Sequence, residues 1–98
     1  MIEQLRQNLS QQLAPILGLN SNVIKSSLES PKQAGHGQLA FPVFSFAKEL
    51  RKAPPLIAKE FKEKIDQVGL SDIKSVDAIS GFVNFTFEPS YIQRLVFS

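Results

Sequence analysis

The 98-residue chain has no cysteine and one histidine, His36. The missing thiols exclude disulfides, thiolate metal sites and cysteine nucleophiles. With so few soft ligands only a carboxylate-rich metal site stays open. Glu29, Asp66, Asp72 and Asp77 are scattered along the chain, so no metal is expected. No apolar run approaches the ~20 residues that span a bilayer. Met1-Ile2-Glu3-Gln4 lacks the basic start and apolar stretch of a signal peptide. A cytoplasmic chain without a membrane partner is therefore expected. Gly35-His36-Gly37 is not a phosphate loop, because the helix-opening glycine and the lysine are missing. His36 has no acid beside it and reads as a loop histidine. A nucleophile, a base and an orienting group cannot be assembled from these residues, so the 98 residues are expected to be non-catalytic.

What remains is ordinary globular material. The chain is 43% hydrophobic and 20% charged, which excludes a disordered tail. At this size roughly two thirds of the unfolded surface can be buried, enough for one core and one domain, residues 1–98. The net charge is only +2, yet six basic residues lie between Lys48 and Lys64 against three acidic ones. That local excess of +3 suits either a solvated helical face or a weak footprint for a polyanion.

Apolar periodicity supplies the elements. Ile2, Leu5, Leu9, Leu13 and Ile16 recur at steps of three and four, the stripe of an amphipathic helix. Pro15 predicts its end or a kink near Ala14, and Gly18 is a stop. Val23 to Glu29 reads as a strand with Ile24 and Leu28 on one side. A loop follows, punctuated by Pro31, Gly35 and Gly37. Gln38–Phe41 is a short extended run, and Pro42 suits a first helical turn. Val43, Phe46, Ala47 and Leu50 keep helical spacing. Pro54-Pro55 opens a second helix with the stripe Ile57, Phe61, Ile65 and Val68, ended by Gly69. Glu60 and Lys64 stand in the favourable i, i+4 order. Ile73–Ser80 and Phe82–Phe87 read as strands around Ser80-Gly81, and Tyr91–Phe97 as a last helix. Segregated helices and strands predict an α+β two-layer sandwich. Its small antiparallel sheet has about four strands, with helices on one face.

The last strand carries the functional reading. Side chains alternate across a sheet, which puts Val83, Phe85 and Phe87 on one face. Phe82, Asn84 and Thr86 fall on the other. An aromatic beside an amide can stack a base and hydrogen-bond its edge, as in recognition of unpaired RNA. The bland alternative leaves Phe82 half-covered and Asn84 facing water.

Three stretches together resemble the N-terminal additional domain of arginyl-tRNA synthetases, over essentially the whole chain. They are Leu28–Lys32 leading into Gly35–Pro42, Phe46–Leu50 with Pro54–Ala58, and Val76–Phe85 ending in Gly81-Phe82-Val83-Asn84-Phe85. The resemblance implies a small α+β domain ahead of a class I catalytic domain, contacting the D-loop corner of arginine-accepting tRNA. Carried over by position, it names Phe82 and Asn84 as tRNA contacts. Lys32, Lys48, Arg51 and Lys52 are candidate phosphate contacts, and Gly35, His36, Gly37 and Gly81 form turns. It implies partners in tRNA and in the parent's own catalytic domain. The ATP and arginine sites would lie in that domain, so no cofactor is expected in this fragment. Gln38 stands where the family usually has aspartate, and Ile79-Ser80 where Gly-Pro is common. The class I signature motifs do not occur, and a chain stopping inside a predicted helix favours an excised domain without catalytic or anticodon-binding parts. The competing expectation is a protein-docking module presenting Phe82, Tyr91 and Phe97 as an apolar patch.

Overall fold

Leu5, Leu9 and Leu13 are fully buried along one side of α1 (Ile2–Leu17), as their spacing predicts. The computed structural model describes residues 2–30 and 39–97. The helix runs past Pro15 to Leu17 rather than ending near Ala14. Proline forfeits only its own bond to the preceding turn, and Pro15 sits on the exposed side. The Ala14 carbonyl accepts from the N–H groups of both Gly18 (2.9 Å) and Leu19 (3.1 Å), which holds the last turn. Gly18, at φ +69°, then reverses the chain.

The strand expected over Val23–Glu29 is a helix, α2 (Ser21–Ser27). Asn20 caps it, its side chain accepting from the Asn22 N–H at 2.8 Å. Ile24 and Leu28 are both buried, but a separation of four puts residues on one side of a helix as well as of a strand. The Ser26 and Ser27 hydroxyls donate to the Val23 carbonyl at 3.0 and 2.9 Å, a bond that helical geometry brings within reach. Extended pairing begins only at Glu29, in a single bridge to Ala40.

Among the described residues the sheet therefore has three strands rather than about four. They are β1 (Leu39–Pro42), β2 (Ile73–Ile79) and β3 (Phe82–Phe87), antiparallel in the order β1-β3-β2. Pro42 closes β1 instead of opening a helix, pairing with Phe82 at the sheet's end. A register shift between Ile73 and Ser75 bends the start of β2. A 3-10 turn (Phe44–Phe46) leads into α3 (Ala47–Leu50), and α4 (Pro54–Val68) follows with proline in its first turn.

The core lies between sheet and helices. Leu39 and Phe41 stand opposite Phe85 and Val83, and Val76 and Ala78 flank the same two residues from β2. Ile57, Ala58, Phe61 and Ile65 of α4 pack on this face, and α1 packs on α4. The Phe41 ring stacks on Phe61 at 6.2 Å and meets Phe46 edge-on at 5.8 Å. Each such large apolar side chain contributes about 1.5–3 kcal/mol on burial. The α+β two-layer expectation holds, with helices against one face.

Helix α5 (Pro89–Phe97) overturns the expected Phe82–Tyr91–Phe97 patch. Tyr91 is buried against Phe87, ring centroids 5.7 Å apart, and its hydroxyl accepts from Asn8 Nδ2 at 2.8 Å. The Phe97 side chain lies outside the described residues.

Candidate nucleic-acid interface

The outer face of the sheet is ordered by the strand register. Directly paired residues share a face. One row across the three strands is therefore Pro42–Phe82–Ile79, and the next is Ala40–Asn84–Asp77. Phe82 and Asn84 do share the outer face, while Val83, Phe85 and Phe87 are buried in the core.

The two residues differ in access. Phe82 is half-buried. Asn84, at the middle of the central strand, is only 4% exposed. Its Oδ1 is buried and accepts no hydrogen bond among the described residues. An unsatisfied buried acceptor is costly, on the order of 1–3 kcal/mol, so it is poised to take a donor. Asp77 stands opposite Asn84 on β2 and is exposed, which places a carboxylate beside the amide. That row repels phosphate and suits N–H or hydroxyl donors of a base or ribose.

The β2–β3 hairpin tip fixes the pose of Phe82. Ser80 takes the left-handed conformation, φ +53°, while Gly81 does not. The Gly81 carbonyl accepts from the Val43 N–H at 3.0 Å, tying the tip to the end of β1. Phe44 lies over the tip and meets Phe82 edge-to-face, centroids 5.1 Å apart and planes at 78°. Phe44 is 51% exposed. Sequence reasoning missed it. The available signal was a phenylalanine off the stripe set by Val43 and Phe46, where a buried ring has no place.

The basic residues are not equivalent. Lys48 is exposed on α3. Arg51 is exposed as its cap, in the left-handed conformation at φ +55°. Neither makes an ion pair among the described residues. Lys52 Nζ instead bonds both Glu60 carboxylate oxygens, at 2.8 and 2.9 Å. Glu60 thus turns to Lys52 rather than to the expected Lys64. Lys62 hydrogen-bonds Asp66, which holds its ammonium above the ordinary lysine range. Lys32, Gly35, His36 and Gly37 lie outside the described residues. Among the described residues no cluster of histidine, aspartate and glutamate is arranged to hold a metal ion. Among the described residues no helix is long and apolar enough to cross a membrane.

Comparison with known proteins gives this geometry a setting. The model of the family "Arginyl tRNA synthetase N terminal domain" matches residues 3–87. The arginine–tRNA ligase of Aliarcobacter butzleri is 42% identical over 79 residues, 80% of this chain and 14% of that protein. That of Lactiplantibacillus plantarum is 42% identical over 84 residues, 85% of this chain and 14% of that protein. The solved arginyl-tRNA synthetase of Thermus thermophilus matches with a TM-score of 0.74 at 26% identity, over 93% of this chain and 15% of that one. The matched part of this chain spans about one seventh of the length of the two ligases. On the family match and these identities, the chain belongs to the arginyl-tRNA synthetase N-terminal domain family.

Proposed function

We propose that this domain holds the D-loop corner of an arginine-accepting tRNA, so that the catalytic domain of its parent arginine–tRNA ligase can carry out ATP-dependent arginylation. The domain positions and does not react. ATP and arginine belong to the catalytic domain, whose class I signature motifs do not occur in this sequence.

The observation that carries the reading is the placement of Phe82 on the outer face, one row from Asn84, on a tip braced by Phe44. Phe82 stacks on or packs against an unpaired D-loop base. Asn84 accepts a hydrogen bond from that base or its ribose through Oδ1, which has no partner among the described residues. At 4% exposure this contact needs a small opening of the outer face, whereas Phe82 needs none. Lys48, Arg51 and Lys32 neutralise phosphates, and Lys52 joins them once released from Glu60.

With so few charges the isolated domain binds weakly, about 10⁻⁴–10⁻⁶ M. In the parent chain, tethering converts the same contact into an intramolecular one and raises its occupancy. The alternative, docking on a protein surface, draws on exposed Phe44 and Ile79. Titrating fluorescent tRNA transcripts with this chain separates the two. Replacing the unpaired D-loop bases should weaken binding several-fold, and binding should fall with salt. Equal affinity for both transcripts would remove the D-loop from the account.

A further inference from the structure

From the geometry we infer that Phe44 is a second RNA-contacting residue, forming with Phe82 a two-ring seat for one unpaired base. The inference rests on the tRNA-binding reading above and extends it to a residue on a different element. Phe44 belongs to the 3-10 turn, 38 positions before Phe82, and only the fold brings the rings together.

Three observations converge on Phe44. It is the more exposed ring of the pair, at 51% against a half-buried Phe82. A phenylalanine held that far out of the core gains little from burial, so its fixed pose calls for another reason. Next, the pose is built: the Phe44 ring lies over Gly81, where an added Cβ would come within 2.5 Å of Cε1 and 2.6 Å of Cζ. The absent side chain at the hairpin tip is the space the ring occupies. Finally, the rings meet at 78° with centroids 5.1 Å apart. In an edge-to-face pair only one face of one ring is capped by its neighbour, so open π-surface remains on a rigid corner. Such a corner matches a flat heteroaromatic base, which stacks on one ring and abuts the other. Base–aromatic stacking does not depend on base identity, so the seat sets where an extruded base goes rather than which base it is.

The test uses ¹⁹F NMR together with fluorescence anisotropy. The chain is made with 3-fluorophenylalanine, which labels its eight phenylalanines. Phe44→Leu and Phe82→Leu assign the two signals and keep apolar bulk at each place. With arginine-accepting tRNA transcript, both signals should shift and saturate together. Phe44→Leu should weaken binding about tenfold, as expected for loss of one stacked ring, and leave the salt slope unchanged because no phosphate contact is lost. Thermal melts of Phe44→Leu close to the parent value show that the loss is one of contact rather than of fold. Suppose Phe82→Leu weakens binding while Phe44→Leu binds like the parent and the Phe44 signal stays still. The inference on Phe44 is then overturned and the tRNA reading stands. If Phe82→Leu also binds like the parent, or the parent does not bind, both fall together.

Discussion

Gly81 stands so close to Phe44 that a single methyl group would collide with the ring, at 2.5 Å from Cε1, and with Pro54 Cβ at 2.9 Å. The glycine is there for space, not for its backbone angle, because Ser80 carries the positive φ of the turn. Gly81→Ala should therefore displace Phe44 and cost about 1–3 kcal/mol, the range for overpacking. Thermal melts should show Phe44→Ala recovering part of that loss in the Gly81→Ala background. An unperturbed Gly81→Ala melt would contradict the close approach.

Asn8 and Tyr91 join the first helix to the last through a 2.8 Å hydrogen bond. Asn8 is half-buried and can turn to water. Tyr91→Phe should thus cost only about 0.5–1.5 kcal/mol in denaturant unfolding, the net value of such a bond. Tyr91→Ala should cost more, because the ring also packs on Phe87 and beneath the Arg94 guanidinium, 5.6 Å from its centroid. Equal losses in the two variants would mean that the ring packing contributes nothing.

Asn84 offers a test in which stability and binding move in opposite directions. Its Oδ1 is buried and has no hydrogen-bond partner among the described residues. Asn84→Leu should leave stability unchanged or raise it by about 1 kcal/mol, since a buried unpaired acceptor is removed. The same variant should lose tRNA affinity. A clear fall in melting temperature would show that the amide is already satisfied in the free domain.

Glu60 occupies the Lys52 ammonium with both carboxylate oxygens. The pair is substantially exposed, so Glu60→Gln should change stability by less than about 1 kcal/mol. Freeing Lys52 should strengthen tRNA binding and steepen its salt dependence by about one counterion. Binding of unchanged salt slope would place Lys52 away from phosphate.

Much of the fold was legible because burial follows period. The leucines of α1, the Ile57–Phe61–Ile65 stripe of α4 and the alternation of β3 all point where the core is. Helix α2 was not legible, since Ile24 and Leu28 fit one side of either element and the Asn20 cap decided it. Pro15 misled because a proline near a helix end sacrifices one bond without stopping the chain. Period two put Phe82 and Asn84 on one face, but the burial of Asn84 depends on tertiary packing that period does not carry. An off-stripe phenylalanine marks Phe44 in the sequence, but its pairing with Phe82 on a remote strand is a tertiary fact as well.

The most direct measurement is the anisotropy of an arginine-accepting tRNA transcript titrated with this chain and with its Phe82→Ala, Asn84→Ala double variant, at low and moderate salt. The account predicts salt-sensitive binding that the double variant loses about tenfold or more, in keeping with one stacked base and its hydrogen bond. Full binding by a folded double variant would contradict it and move the contact from the outer face of β3 to the basic helices.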